Sequence, residues 1–158
     1  MMNKIEETLE WTDDLTQGDV NLDKQVQEYI KSANMFFDAI NDNNAEEYID
    51  KILNELTEYA RTHFASQENM MKDIDYPAID EHQQEHKDFV RNVSKLLKMR
   101  LFLKRPKVDD DEYDERGIAG VIRDTADFIR EWFKAHIQVT DKRLADYYIL
   151  EYKESLKG

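Results

Sequence analysis

The sequence predicts an all-α protein, an up-and-down four-helix bundle with an extended N-terminal arm, formed as one domain over residues 1–158. Three observations predict it. Apolar side chains recur every three to four residues in four separate stretches, the spacing that places them on one face of a helix. The chain is 41% hydrophobic but holds only 4 Gly and 2 Pro, a composition that suits long uninterrupted helices. At this length a single core can bury roughly 70% of the unfolded surface, so no disulfide or second domain is required.

The first stripe is Leu22, Val26, Tyr29, Ala33, Phe36, Phe37 and Ile40. Asn41, Asp42, Asn43 and Asn44 end it, because short amide and carboxylate side chains compete for backbone hydrogen bonds and favour turns. The second runs Ile49, Ile52, Leu53, Leu56, Ala60, His63, Gln67, Met70, Met71 and Ile74, and closes near Tyr76-Pro77, where proline disfavours helix in the residue before it. The third runs Ile79, His82, His86, Phe89, Val90, Val93, Leu96 and Leu97. Lys104-Arg105-Pro106 and the charged stretch Asp109 to Arg116, closed by Gly117, read as a solvated connecting loop. The fourth stripe is Ile118, Ile122, Ala126, Ile129, Trp132, Phe133, His136 and Thr140, continuing to Leu144, Tyr147 and Tyr148. The arm before the first helix contains Trp11 and Gly18.

Several function classes recede on composition. No Cys is present, so any metal is held by nitrogen and oxygen. A net charge of −13 repels phosphate backbones and anionic lipid, which argues against nucleic-acid and membrane-surface roles. Neither a signal-peptide core nor a run of about 18 apolar residues occurs, so the expected location is the cytoplasm. A glycine-rich phosphate loop and a Gly-x-Ser-x-Gly nucleophile are both missing, and the sequence is expected not to be an enzyme.

What remains is a set of polar residues where the helical period demands core. All four His, at 63, 82, 86 and 136, lie on inward stripes. His82 and His86 are one turn apart and can meet at one metal ion, and a shared metal satisfies several buried imidazole nitrogens at once. Asp141 lies five residues beyond His136, about 140° around an ideal helix. The two converge only if the site spans that angle or the helix carries a π-type turn.

These residues fit a family pattern. Trp11 with Gly18 and Leu22-Asp23-Lys24-Gln25, His63-Phe64 followed by Glu68 and Met71, Tyr76-Pro77 followed by His82 and His86, and His136-Ile137 followed by Asp141 resemble the hemerythrins and bacterial hemerythrin-like proteins over nearly the whole chain. The resemblance implies a four-helix bundle holding two non-haem irons bridged by oxygen and two carboxylates, with reversible dioxygen binding at one iron for transport, storage or sensing. It makes His82, His86 and His136 ligands of that iron, Asp141 a bridging carboxylate, and His63 a ligand of the other iron.

Two positions depart from the pattern. Val26 stands where the family has its first ligating His, and Gln67 stands where a glutamate bridges both irons. Gln offers one neutral carbonyl oxygen and an NH2 that has no lone pair for a metal. Glu68 is adjacent but rotated by about 100°, so it is expected to point elsewhere. The expectation is one strong metal position formed by His82, His86, His136 and Asp141, and a second, impoverished one with His63, a share of Asp141 and the Gln67 oxygen. Iron suits this set, and Zn(II) suits three His and one Asp equally. The small-ligand partner implied is dioxygen, and the sequence points to no particular protein partner. Two other readings stand beside it: a metal-independent helical interaction module, and a single-metal protein without dioxygen chemistry. A ferritin-like di-iron oxidase is disfavoured, because the residues three before each His are Ala60, Ile79, Gln83 and Phe133, never Glu.

Overall fold

The computed structural model describes residues 4, 5, 7–105 and 115–152, and it is an all-α bundle of four long helices with no strand among those residues. Helix α1 is Val20–Asn41. Helix α2 covers 45–73 and is assembled from Ala45–Tyr59, a π-helical turn Ala60–Phe64, and Ala65–Asp73. Helix α3 is Ile79–Lys104. Helix α4 covers 115–152, with π-helical stretches at Phe133–Thr140 and Tyr147–Tyr152. Most of the expected acidic connection between α3 and α4, residues 106–114, lies outside the described residues.

Both short turns close by the same device. At the end of α1 the Asn43 N–H donates to the Ile40 carbonyl and the Asn44 N–H to the Ala39 carbonyl, with Asn43 at φ +60°. At the end of α2 the Asp75 N–H donates to Lys72 and the Tyr76 N–H to Met71, with Asp75 at φ +50°. These paired bonds satisfy the last carbonyls of each helix and reverse the chain within a few residues. Asn and Asp tolerate the left-handed backbone because their side chains are short and polar.

The inward stripes form one large apolar core that includes Val26, Phe36, Phe37, Ile49, Ile52, Leu53, Phe89 and Ile129. A smaller cluster of Met71, Ile74, Tyr76 and Leu144 sits near one end of the bundle. The inward-facing His residues lie between the two. Val90 departs from its expected core role and is 48% exposed, since Phe89 already takes the inward direction and the next residue is turned by about 100°.

The arm is held on α1 by two amide clamps. Asn34 Oδ1 accepts from the Leu9 N–H at 2.9 Å while its Nδ2 donates to the Leu9 carbonyl at 2.8 Å, and Asn41 does the same for Ile5 at 2.7 and 2.9 Å. Each clamp satisfies both backbone groups of an extended residue, as a neighbouring strand would. Asp23 then accepts from the Gln17 N–H at 2.7 Å and from Thr16 Oγ1 at 2.6 Å, and Asp19 caps α1 by accepting from the Leu22 N–H at 2.9 Å. Gly18, at φ +72°, turns the chain between them; a Cβ there would lie 2.9 Å from Ile149 Cγ1 and 3.0 Å from Tyr148 Cδ1.

Candidate metal centre

The π-helical stretch Phe133–Thr140 brings His136 and Asp141 together. The extra residue in the turn offsets the angle that ordinary helix geometry would put between them, and His136 Nε2 lies 2.9 Å from Asp141 Oδ1. A second π turn, Ala60–Phe64, carries His63. Helix α3 supplies His82 and His86 from regular α geometry, one turn apart. The facing nitrogens of His82, His86 and His136 all lie within 4.8 Å of one another, and all three residues are buried.

Around this trio, His82 Nε2 is 3.3 Å from Asp141 Oδ1, and the Gln67 Oε1 lies 3.1 Å from His82 Nε2 and 3.0 Å from His86 Nε2. All six residues expected at the site, His63, Gln67, His82, His86, His136 and Asp141, are buried. His63 stands slightly apart. Its Nδ1 is 2.8 Å from Gln25 Oε1, and since an amide oxygen only accepts, Nδ1 carries the proton and Nε2 keeps its lone pair. That Nε2 is buried with no hydrogen-bond partner. Val26 is fully buried in the apolar core.

The far sides of two rings are held by carboxylates. Glu68 Oε2 lies 3.1 Å from His86 Nδ1, and Glu85 Oε1 lies 3.1 Å from His136 Nδ1 while also accepting from Thr140 Oγ1 at 2.8 Å. Glu68 therefore points away from the trio, as expected, but it orients one member of it. Ring faces are fixed by aromatic stacking: Phe64 on His86 at 3.8 Å, Trp132 on His136 at 3.8 Å, and Tyr59 on His63 at 4.7 Å between centroids.

Protonation in the metal-free chain follows from burial and from Asp141. Burial drives His63 down to about 4 and His86 down to about 2, the latter reinforced by the neighbouring His82 and His136. Burial also presses on His136, but the charge of Asp141, whose Oδ1 lies 2.9 Å from Nε2, together with Glu85, outweighs it and raises His136 to about 9. Asp141 is correspondingly held below the usual carboxylate range, because His136 overcomes its burial. The two carboxylates thus favour the protonated form of His136 when no metal is bound.

The donor set suits a cation. His86 sits between two acceptors, Glu68 Oε2 and Gln67 Oε1, yet a neutral imidazole has only one N–H to give. With Nδ1–H directed to Glu68, the Nε2 lone pair faces the Gln67 oxygen, an arrangement that a metal ion between them resolves. Nitrogen and oxygen donors without thiolate fit iron or Zn(II).

Three participants were not legible as such in the sequence: Gln17, Gln25 and Glu85. Gln17 is buried and contacts both Gln67 and Asp141. Its arm has no helical period to flag it, and only its place beside Gly18 marks it. Gln25 belongs to a quoted family match but with no role, and Glu85 looks like any surface acid.

Comparison with known proteins places this geometry in a family. The model of the hemerythrin HHE cation binding domain matches residues 20–148. The chain belongs to the hemerythrin family. Among its similar relatives is a bacteriohemerythrin of Clostridium acetobutylicum, 27% identical over 139 residues, covering 86% of this chain and 98% of that protein. A bacteriohemerythrin of Pseudomonas aeruginosa PAO1 is 33% identical over 86 residues, 54% of this chain and 56% of that one. Another, from Stenotrophomonas maltophilia, is 27% identical over 142 residues, 87% and 80% of the two chains. No solved structure matches the chain. Hemerythrin-family membership carries metal binding and the helical bundle with it. Among the described residues no helix is long and apolar enough to cross a membrane.

Proposed function

We propose that the chain binds one non-haem metal ion tightly, iron or Zn(II), through His82, His86, His136 and Asp141, with the Gln67 oxygen at the margin. The observation that carries this reading is the convergence of three buried imidazoles and one buried carboxylate with a neutral amide where two irons would need a second bridging carboxylate. When bound, the metal supplies a coordination position for dioxygen or another small ligand. The chain's own residues hold it: Glu68 and Glu85 keep the His86 and His136 rings turned inward, and Phe64 and Trp132 keep them flat.

A second ion binds weakly on this reading. His63 offers one lone pair there, Val26 offers none, and the Gln67 NH2 is a hydrogen-bond donor that a cation avoids. The protein is then a binding protein, a carrier, store or sensor, whose two-iron dioxygen chemistry has been altered. Val26→His combined with Gln67→Glu tests this. The double variant is expected to hold two irons per chain and to gain a reversible, oxygen-dependent visible absorption band. A double variant that folds but still holds one iron contradicts the reading.

A further inference from the structure

Gln67 is an amide with two directions to choose from. If its NH2 faced the histidines, it would donate to their lone pairs, and its oxygen would be set against Gln17 Oε1 and Asp141 Oδ1, acceptor against acceptor. In the observed orientation its oxygen faces His82 and His86, and both amide protons are used elsewhere: Nε2 donates to Gln17 Oε1 at 2.7 Å and to Asp141 Oδ1 at 2.8 Å. Gln17 is itself oriented, since its Nε2 donates to Asp141 Oδ2 at 3.3 Å. The three side chains close a ring through three N–H···O bonds, two donated by Gln67 and one by Gln17.

We propose that Gln17 is a positioning residue that fixes the Gln67 amide with its oxygen toward His82 and His86, and that it thereby sets the centre for a single cation. This rests on the reading of the trio and Asp141 as a metal site. Gln17 takes up both groups that face away from the three imidazoles, the Gln67 NH2 and Asp141 Oδ2. Its position is built by the arm: the Asp23 bond to the Gln17 N–H, the left-handed Gly18 and the close packing on Ile149 leave the side chain directed into the bundle. A buried amide that accepts from one site residue and donates to another is difficult to account for by packing alone, since an apolar side chain of the same length would fill the space without desolvating a polar group.

The test is a double-mutant cycle read as Zn(II) and Fe(II) affinity by chelator competition, with stoichiometry, on the full chain. Gln17→Met keeps length and volume. With Gln67 present it is expected to weaken the first metal about tenfold, the size of effect that orienting partners of metal ligands have. In a Gln67→Glu background a carboxylate oxygen faces the imidazoles whichever way it turns, so Gln17→Met is expected to cost less than about twofold. Gln17→Glu keeps an oxygen for the Gln67 amide but replaces the N–H donated to Asp141 Oδ2 with an acceptor, so it is expected to weaken the first metal at least as much as Gln17→Met. Equal losses in both backgrounds, or no loss with Gln67 present, overturn the role of Gln17. An unmodified chain that binds neither ion overturns the metal reading beneath it.

Discussion

An imidazole can offer a metal its lone pair only if its proton is held on the opposite nitrogen, so the atom behind each ring decides what the ring does in front. Glu68 stands behind His86, Glu85 behind His136 and Gln25 behind His63. Glu68 was legible only as a residue turned away from the trio, and the roles of Glu85 and Gln25 were not legible, because each comes from another helix than its His; the inward His positions were legible because helical period alone assigns them to core. Glu85 makes the clearest test, being half-exposed and therefore replaceable without a core defect. Glu85→Gln is expected to lower metal affinity by about 10-fold or more, measured by chelator competition, while leaving helicity unchanged. An affinity equal to that of the unmodified chain would remove Glu85 from the centre.

At the scale of elements, the five-residue gap between His136 and Asp141 signalled a distortion, and the π-helical stretch Phe133–Thr140 supplies it. The second one, Ala60–Phe64, gave no such signal, since the spacing from His63 to Gln67 is an ordinary helical turn. The helix ends illustrate a different limit. Turn-forming residues located both reversals, but that the same paired-bond cap closes each appears only in the backbone angles of Asn43 and Asp75. Asp75 holds a left-handed conformation that costs an L residue roughly 1–2 kcal/mol and glycine nearly nothing. Asp75→Gly relieves that strain, but the extra freedom of glycine in the unfolded chain takes back about 0.4–1 kcal/mol, so the net gain in stability is expected to be under about 1 kcal/mol. Urea unfolding with an unchanged m-value would register it, and a lower midpoint would show that the Asp75 side chain contributes more than its backbone strain removes.

Across the whole molecule the buried histidines set how stability depends on pH once metal is stripped by a chelator. His63 and His86 stay neutral in the fold down to about 4 and about 2, whereas unfolded histidine takes a proton near 6.5. The unfolded chain thus binds more protons below about 6.5, and stability falls as pH drops through that range. His136 is opposite in sign: the fold keeps its proton up to about 9, so its contribution is present below about 6.5 and is lost as pH rises toward 9. The metal-free chain is expected to be most stable near neutral pH, with urea midpoints declining on both sides; a midpoint that climbs steadily to pH 9 would contradict the His136–Asp141 ion pair. Bound metal should remove the alkaline decline, because the cation replaces the imidazolium charge beside Asp141.

The bundle and the inward His were readable from periodicity and the arm from the lack of it, while the closed ring of Gln17, Gln67 and Asp141 was not, because it joins residues 50 and 124 positions apart that no local pattern relates. On the proposed reading, that ring, with Val26, separates one metal position from two. The most direct measurement is therefore metal content per chain, by mass spectrometry of the intact protein and elemental analysis, on protein purified without added metal and then titrated with Fe(II) under nitrogen. One tightly held ion per chain, lost on His82→Ala or His86→Ala, is the expected result; two tightly held ions in the unmodified chain would contradict the account.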